Sequence, residues 1–305
     1  MRKILKWIGI ALAGLFVLVA LATVGLSMAG GRRLNKTHNV QVETIAIPTG
    51  EAAIARGRHL VQAVTFCQAC HGEDLDGDIF DDEPDIATII ATNLTSGRGG
   101  VGATYDDADY VRSIRHGVNS QGRGQLIMHS DIYHNLSKQD LGAIIAYLKS
   151  VPPVDNELSQ TTVAPLGRIF VALGMFDTEA LPLIPAEVID HNAPFVEMPA
   201  QGATAEYGGY LMSITLCRMC HGPELAGAPS LEPGMPPGPN LTPGGELGNW
   251  SEAEFIQTMR TGVSPHGHEL DPEVMPWDVY AKLTDDELKG LWLYLQSLPP
   301  QESDN

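Results

Sequence analysis

Hydrophobic and polar positions form two kinds of pattern along this chain. From Trp7 to about Ala29 the residues are apolar or small, and Arg2, Lys3 and Lys6 precede them. A run of about twenty such residues is long enough to cross a bilayer of ~30 Å as one helix. From Glu51 the apolar positions fall at helical spacing instead: Ala52, Ala53 and Ile54, then Leu60, Val61 and Val64. Further helices are expected from about Asp106 to His116, ended by Gly117, and from about Lys138 to Ser150, stopped by Pro152-Pro153. Acidic and glycine-rich residues from Gly72 to about Pro84 read as loop.

The second half repeats this plan. Glu206–Leu211 takes the place of the helix from Glu51, and Gly208 aligns with Gly57 when one residue is deleted. Asn240-Leu241-Thr242 echoes Asn93-Leu94-Thr95, and the helix ending at Arg260-Thr261-Gly262 echoes the one ending at Arg115-His116-Gly117. From Met275 to Pro300 the match to Met128–Pro153 has no gap; it pairs Tyr280 with Tyr133, Leu288 with Leu141 and Tyr294 with Tyr147. Self-similarity at so long a period indicates a duplicated domain. The expected organisation is a membrane segment at 1–34, a tether at 35–50, domains at 51–153 and 205–300, a proline-rich connection at 154–204 and a tail at 301–305. Within the connection, Leu166–Leu173 is expected to form a short apolar helix. It is either a brace packed between the domains or a contact with the membrane surface or a partner.

The chemistry lies at the same place in each copy. Cys67-Gln68-Ala69-Cys70-His71 returns as Cys217-Arg218-Met219-Cys220-His221, and these are all four cysteines of the chain. C-x-x-C-H is the attachment pattern of c-type haem. Cysteines at i and i+3 face the same way on a helical turn and can each add to one haem vinyl group. The histidine at i+4 then lies over the iron as proximal ligand. A zinc site would need further ligands, and no cysteine is left to supply them. A thioredoxin-like C-x-x-C would need alternating strands and helices, and a disulfide within the motif would leave the histidine unexplained.

Haem iron in this setting usually takes methionine as its sixth ligand. Met128 is the only methionine between His71 and Pro153, whereas Met235, Met259 and Met275 all follow His221. Asn93 to Met128 and Asn240 to Met275 are equally long stretches, while Met259 falls on the helical core position Ile114 and Met235 has no counterpart. Met128 and Met275 are therefore the expected distal ligands. His116 or His134 would give bis-histidine ligation at the first haem instead, and His191 reads as an ordinary surface or interface residue. Arg115 and Arg260 end equivalent helices, either near the haem propionates or as solvated cations suited to a helix C-terminus.

Together these elements resemble the class I cytochrome c fold, and the whole resembles the membrane-anchored di-haem c-type cytochromes of bacteria. The resemblance covers about Glu51–Pro153 and Ala205–Pro300. It implies an all-α architecture of tandem cytochrome c domains with two covalently attached haems, preceded by one transmembrane helix. It also implies that the first and last helices of each domain cross with a glycine against an aromatic residue, Gly57 with Tyr147 and Gly208 with Tyr294.

The net charge is −18, which makes nucleic acid an improbable partner. The acidity either steers the protein toward a basic patch on a partner or only keeps it soluble. An iron held by histidine and methionine has no open site for substrate. The expected role is a single-pass, periplasmic electron carrier of the bacterial inner membrane, without a reaction of its own. It would pass electrons from a dehydrogenase or quinol-linked donor to an oxidase or soluble cytochrome. The alternatives are a cytochrome subunit of a larger dehydrogenase or oxidase complex, or a di-haem cytochrome c peroxidase. Cleavage after Ser27-Met28-Ala29, with a soluble periplasmic product, is the alternative to a retained anchor.

Overall fold

The computed structural model describes residues 2–178, 180–231 and 234–303. The first helix, α1 (Arg2–Leu34), is exposed from Arg2 to Gly25 and covered only near its C-terminal end. The first half then contributes α2 (Glu51–His59), α3 (Cys67–His71), α4 (Asp107–His116), α5 (Ser130–Tyr133) and α6 (Lys138–Ser150). Its counterparts in the second half are α8 (Ala205–Ile214), α9 (Cys217–His221), α10 (Glu252–Thr261), α11 (Trp277–Tyr280) and α12 (Asp285–Ser297).

Helix starts are set by side chains that satisfy the free amides of the first turn. Asp106 with Asp109, Ser251 with Glu254 and Thr284 with Glu287 form reciprocal capping boxes, and Ser137 caps α6. Gly117 and Gly262 end α4 and α10 at φ 63° and 69°, the left-handed conformation that glycine adopts most cheaply.

Each half is built on the crossing of its first and last helices, α2 on α6 and α8 on α12. A Cβ on Gly57 would stand 1.9 Å from the Ala143 carbonyl oxygen and 2.8 Å from Tyr147 Cβ, so only glycine permits the approach. Gly208 faces the Gly290 carbonyl oxygen at the same 1.9 Å. The Tyr294 ring, expected against Gly208, lies over Gly209 instead, 3.0 Å from the position a Cβ would take. The extra residue of the first half is absorbed just after Gly57. Leu60–Val64 forms a π-turn in which the Thr65 amide reaches back to Leu60, whereas the Thr215 amide bonds Leu211 in ordinary α fashion.

The fold is mostly helical, with one small sheet among the described residues, whose first strand lies where the sequence reads as loop. Strands β1 (Asp78–Glu83) and β2 (Ala87–Ala91) form an antiparallel hairpin, and β3 (Thr162–Val163) from the connection pairs with β2. All six β1 residues are exposed, so no alternation of apolar and polar positions marks the strand.

Helix α7 (Pro165–Ala172) begins on a proline at its first turn. It does not brace the two halves against each other. It lies along the end of α1, where a Cβ on Gly30 would meet the Arg168 carbonyl oxygen at 1.8 Å, and its Gly167 closes on the hairpin at Ile86. Arg33 of α1 binds both Asp177 and Glu187, fastening the connection to the end of α1.

The halves share one core that runs from Leu60, Leu141 and Ile144 to Tyr207, Leu211 and Leu288. At its centre is a buried polar cluster with an approximate twofold pattern. Asp140 and Glu287 occupy the third position of α6 and α12. Arg56 binds Asp140 through two nitrogens at 3.0 Å and reaches Glu287 at 3.1 Å. His59 crosses to Glu287 at 2.6 Å, and Tyr210 OH crosses the other way to Asp140 at 2.9 Å. Burial pushes the Glu287 carboxyl upward, but His59, the Thr284 amide and Arg56 outweigh it and hold the group at about 2.

Candidate haem-binding sites

Each C-x-x-C-H stretch forms a single helical turn ended by a glycine at φ 81°, Gly72 in one half and Gly222 in the other. A Cβ on Gly222 would meet the Gly227 carbonyl oxygen at 2.5 Å. The turn is closed further by the Gly77 amide on His71 O and the Gly227 amide on His221 O, at 2.8 and 3.0 Å. A threonine two residues before the first cysteine sets each sulfur, with Thr65 Oγ1 3.2 Å from Cys67 Sγ and Thr215 Oγ1 3.3 Å from Cys217 Sγ. Burial raises the Cys67 thiol to about 11 and raises the other three as well.

The two histidines are held alike. His71 Nδ1 lies 2.8 Å from Thr92 O, and His221 Nδ1 lies 2.8 Å from Pro239 O. A carbonyl can only accept, so Nδ1 carries the proton and Nε2 keeps its lone pair for a metal. Burial lowers the basicity of both rings, which keeps them neutral and ligand-competent.

In the first half, Cys67 and His71 share a cavity of about 660 Å³, open mouth included, with Met128. Leu94, Ile144 and Leu148 give it apolar walls. His116, His129 and His134 are absent from the lining. His116 Nδ1 meets His191 Nδ1 at 3.1 Å, and His134 Nδ1 donates to Arg115 O at 3.1 Å. His191 thus packs the connection against the end of α4.

Met275 is partly buried against the shared core. Its backbone repeats that of Met128: the Trp277 amide bonds Met275 O at 2.6 Å, as the Ser130 amide bonds Met128 O. Met259 is buried on α10, in keeping with its alignment to Ile114.

Asn-Leu-Thr, at first only a repeated string, proves to be a clamp. Asn93 Nδ2 donates to Val154 O and Asn240 Nδ2 donates to Gln301 O, both at 2.9 Å, so each holds the chain just after the closing helix. The tail is therefore fixed at Gln301.

Arg115 and Arg260 do not stand free in solvent. Arg115 is buried, donates to His134 O and Ala193 O and lies 3.8 Å from the Phe195 ring centroid. Arg260 donates to the carbonyls of Ala281 and Leu283. Both tie the end of one helix to the loop that follows the methionine segment, a role that needs tertiary packing to be seen.

Polar atoms left over at the first cavity, and at the matching positions of the second half, fit a bound macrocycle with charged edges. Tyr110 OH and Gln125 Oε1, both on the first cavity's wall, are buried without a partner among the described residues. In the second half Trp250 Nε1 and Thr258 Oγ1 are in the same condition, and they align with Tyr105 and Ser113 of the first cavity's lining. Sequence reasoning did not single out these four. Tyr133 and Tyr280, recognised only as a register pair, are buried between the two attachment turns. Tyr133 donates to Thr65 O, close to Cys67 and Tyr280, and the Tyr280 ring stacks on Phe66 with centroids 6.3 Å apart.

The cytochrome c family model matches residues 54–152 and 205–299. The chain is 27% identical over 270 residues to the fructose dehydrogenase cytochrome subunit of Gluconobacter japonicus, covering 81% of this chain and 53% of that protein. It is 26% identical over 275 residues to the cytochrome c subunit of the quinone-dependent alcohol dehydrogenase of Gluconacetobacter polyoxogenes, covering 83% and 58%. A nicotinate dehydrogenase subunit of Pseudomonas putida is 28% identical over 271 residues, covering 81% and 21%. The chain spans little more than half the length of the first two.

Proposed function

The chain belongs to the cytochrome c family, whose domains carry covalently bound haem, and from this we propose that it is the membrane-tethered, di-haem electron-transfer subunit of a bacterial dehydrogenase complex. The observation that carries the reading is the enclosure of Cys67, His71 and Met128 in one cavity of a twice-repeated domain. The named relatives, cytochrome subunits of dehydrogenases among them, favour a complex over a free carrier.

Cys67 and Cys70, with Cys217 and Cys220, are the thioether attachment points. His71 and His221 are the proximal ligands, and Met128 and Met275 the distal ones. Haem bound there supplies a one-electron couple. The polypeptide does the rest. The Thr92 and Pro239 carbonyls orient the imidazoles, and the buried walls exclude water. Two protein ligands per iron leave no coordination position for a substrate. Tyr133, Tyr280 and Phe66 pack the space between the attachment turns and keep the two sites at a fixed separation. The α1 helix is read as a retained anchor that places both halves in the periplasm.

Solubilising membranes in mild detergent and isolating this chain through a C-terminal tag tests the proposal. A co-purifying dehydrogenase subunit whose substrate reduces both haems is expected. Recovery of a free di-haem protein that no co-purified fraction reduces would contradict it.

A further inference from the structure

The anchor end of the molecule carries an apolar surface that the haem sites do not use. Cover on α1 begins at Leu26 and Ser27 and is complete at Gly30, and α7 supplies it. Residues 165–176 include one charged side chain, Arg168, whose Nε is turned back onto Val163 O at 2.9 Å. Gly167 and Val171 face inward. Leu173 and Met175 are 56% and 61% exposed, and Leu166 and Phe176 are also open to the outside. The nearby carboxylates Asp177 and Glu187 are both paired with Arg33, and Glu187 also with Lys36. In a chain of net charge −18, a stretch so poor in charge is anomalous as a water-facing surface.

Its height relative to the bilayer follows from α1. A helix entering the hydrocarbon at Trp7 leaves it after about twenty residues, close to Leu26. That is where α7 is attached. We propose that α7 and the residues up to Phe176 form a second membrane contact, lying in the outer interface with their apolar side chains at the boundary of headgroups and acyl chains. The occupant is lipid, because the patch continues the bare surface of α1 at the depth where that surface leaves the bilayer. The contact fixes the tilt of the first half over the membrane. This inference rests on reading α1 as a retained anchor.

The test uses the full-length haem-loaded chain in phosphatidylcholine nanodiscs. With all four native cysteines consumed by haem, single cysteines at Leu173→Cys, Met175→Cys, Val17→Cys and Val263→Cys can each carry an environment-sensitive fluorophore. Labels at 17, 173 and 175 are expected to be quenched by doxyl-labelled lipid and to be several-fold less sensitive to aqueous iodide than the label at 263. If 173 and 175 behave like 263 while 17 is still quenched by lipid, the second contact is wrong and the patch faces water or a protein subunit. If 17 also behaves like 263, the anchor reading fails and takes this inference with it.

Discussion

Between Gly57 and Thr65 the first half has one residue more than the second has between Gly208 and Thr215, yet both halves deliver the next cysteine to the same geometry. The first half hides the surplus in the π-turn at Leu60–Val64, and the second runs a plain α-helix into its attachment turn. The outer covers differ more. A hairpin and part of the connection lie beside the first site, while the corresponding loop of the second, among the described residues, has the bridge Ala228 to Gly238. What does not differ is the frame around the proposed ligands: threonine to sulfur, carbonyl to imidazole, asparagine clamp, and arginine to the loop after methionine. The frame of the proposed sites is the same in both halves, and the parts outside it absorb insertions.

The comparison breaks most severely when one half loses its attachment. Replacing Cys217 and Cys220 together by serine should leave a protein with one haem per chain by pyridine haemochrome assay. The second half, deprived of the group that fills its core, should lose stability, and the shared core should carry part of that loss into the first half, which keeps its haem. Loss of both haems would mean that the first half cannot hold its haem without a filled second half.

Next in size are the helix crossings. Gly57→Ala and Gly208→Ala each drive a methyl group into a backbone carbonyl 1.9 Å away, which should cost about 2–3 kcal/mol of stability by denaturant titration. Equal costs would show that the two crossings are equivalent despite the different seats of Tyr147 and Tyr294.

The cluster between the halves should give a pH signature of similar or smaller size. Glu287 is held at about 2 against an ordinary 4.5, so its contribution is complete above pH 4.5 and is lost as pH falls toward 2. The difference corresponds to an upper bound of about 3 kcal/mol. Glu287→Gln should flatten the acid limb of a stability–pH profile, and an unchanged limb would assign acid sensitivity elsewhere. The smallest effect is expected from deleting Gln62, which turns the π-turn into an α-helix of the second half's length. It should cost less than the glycine substitutions, because the shortened turn matches the α-helix that the second half runs at the same place. A large loss would show that the π-turn itself positions Cys67.

Much of the helical fold is legible in the sequence. The α6 helix has the bounds Lys138–Ser150 that Ser137 and the two prolines mark out, because capping and chain breaking are local effects. The proposed cysteine, histidine and methionine ligands rest on chemistry and on comparing one half with the other, and the enclosure of Cys67, His71 and Met128 in one cavity supports the first set. Strand β1 was hidden because Asp78–Glu83 has no buried face to impose a period of two. The seat of α7 on α1, the carbonyl contacts of Arg115 and Arg260, and the exchange of His59 and Tyr210 between halves all join residues far apart in sequence. The repeated acid at the third position of α6 and α12 was the one local hint, and its meaning depends on the packing of four helices.

The central claim is that both irons are held between histidine and methionine. The oxidised protein should show the weak near-infrared band of methionine bound to ferric haem at a strength set by two sites per chain, with Met128→Ala and Met275→Ala each removing about half of it. A wild-type band of half that strength, or a band untouched by one of the two substitutions, would contradict the assignment at that half.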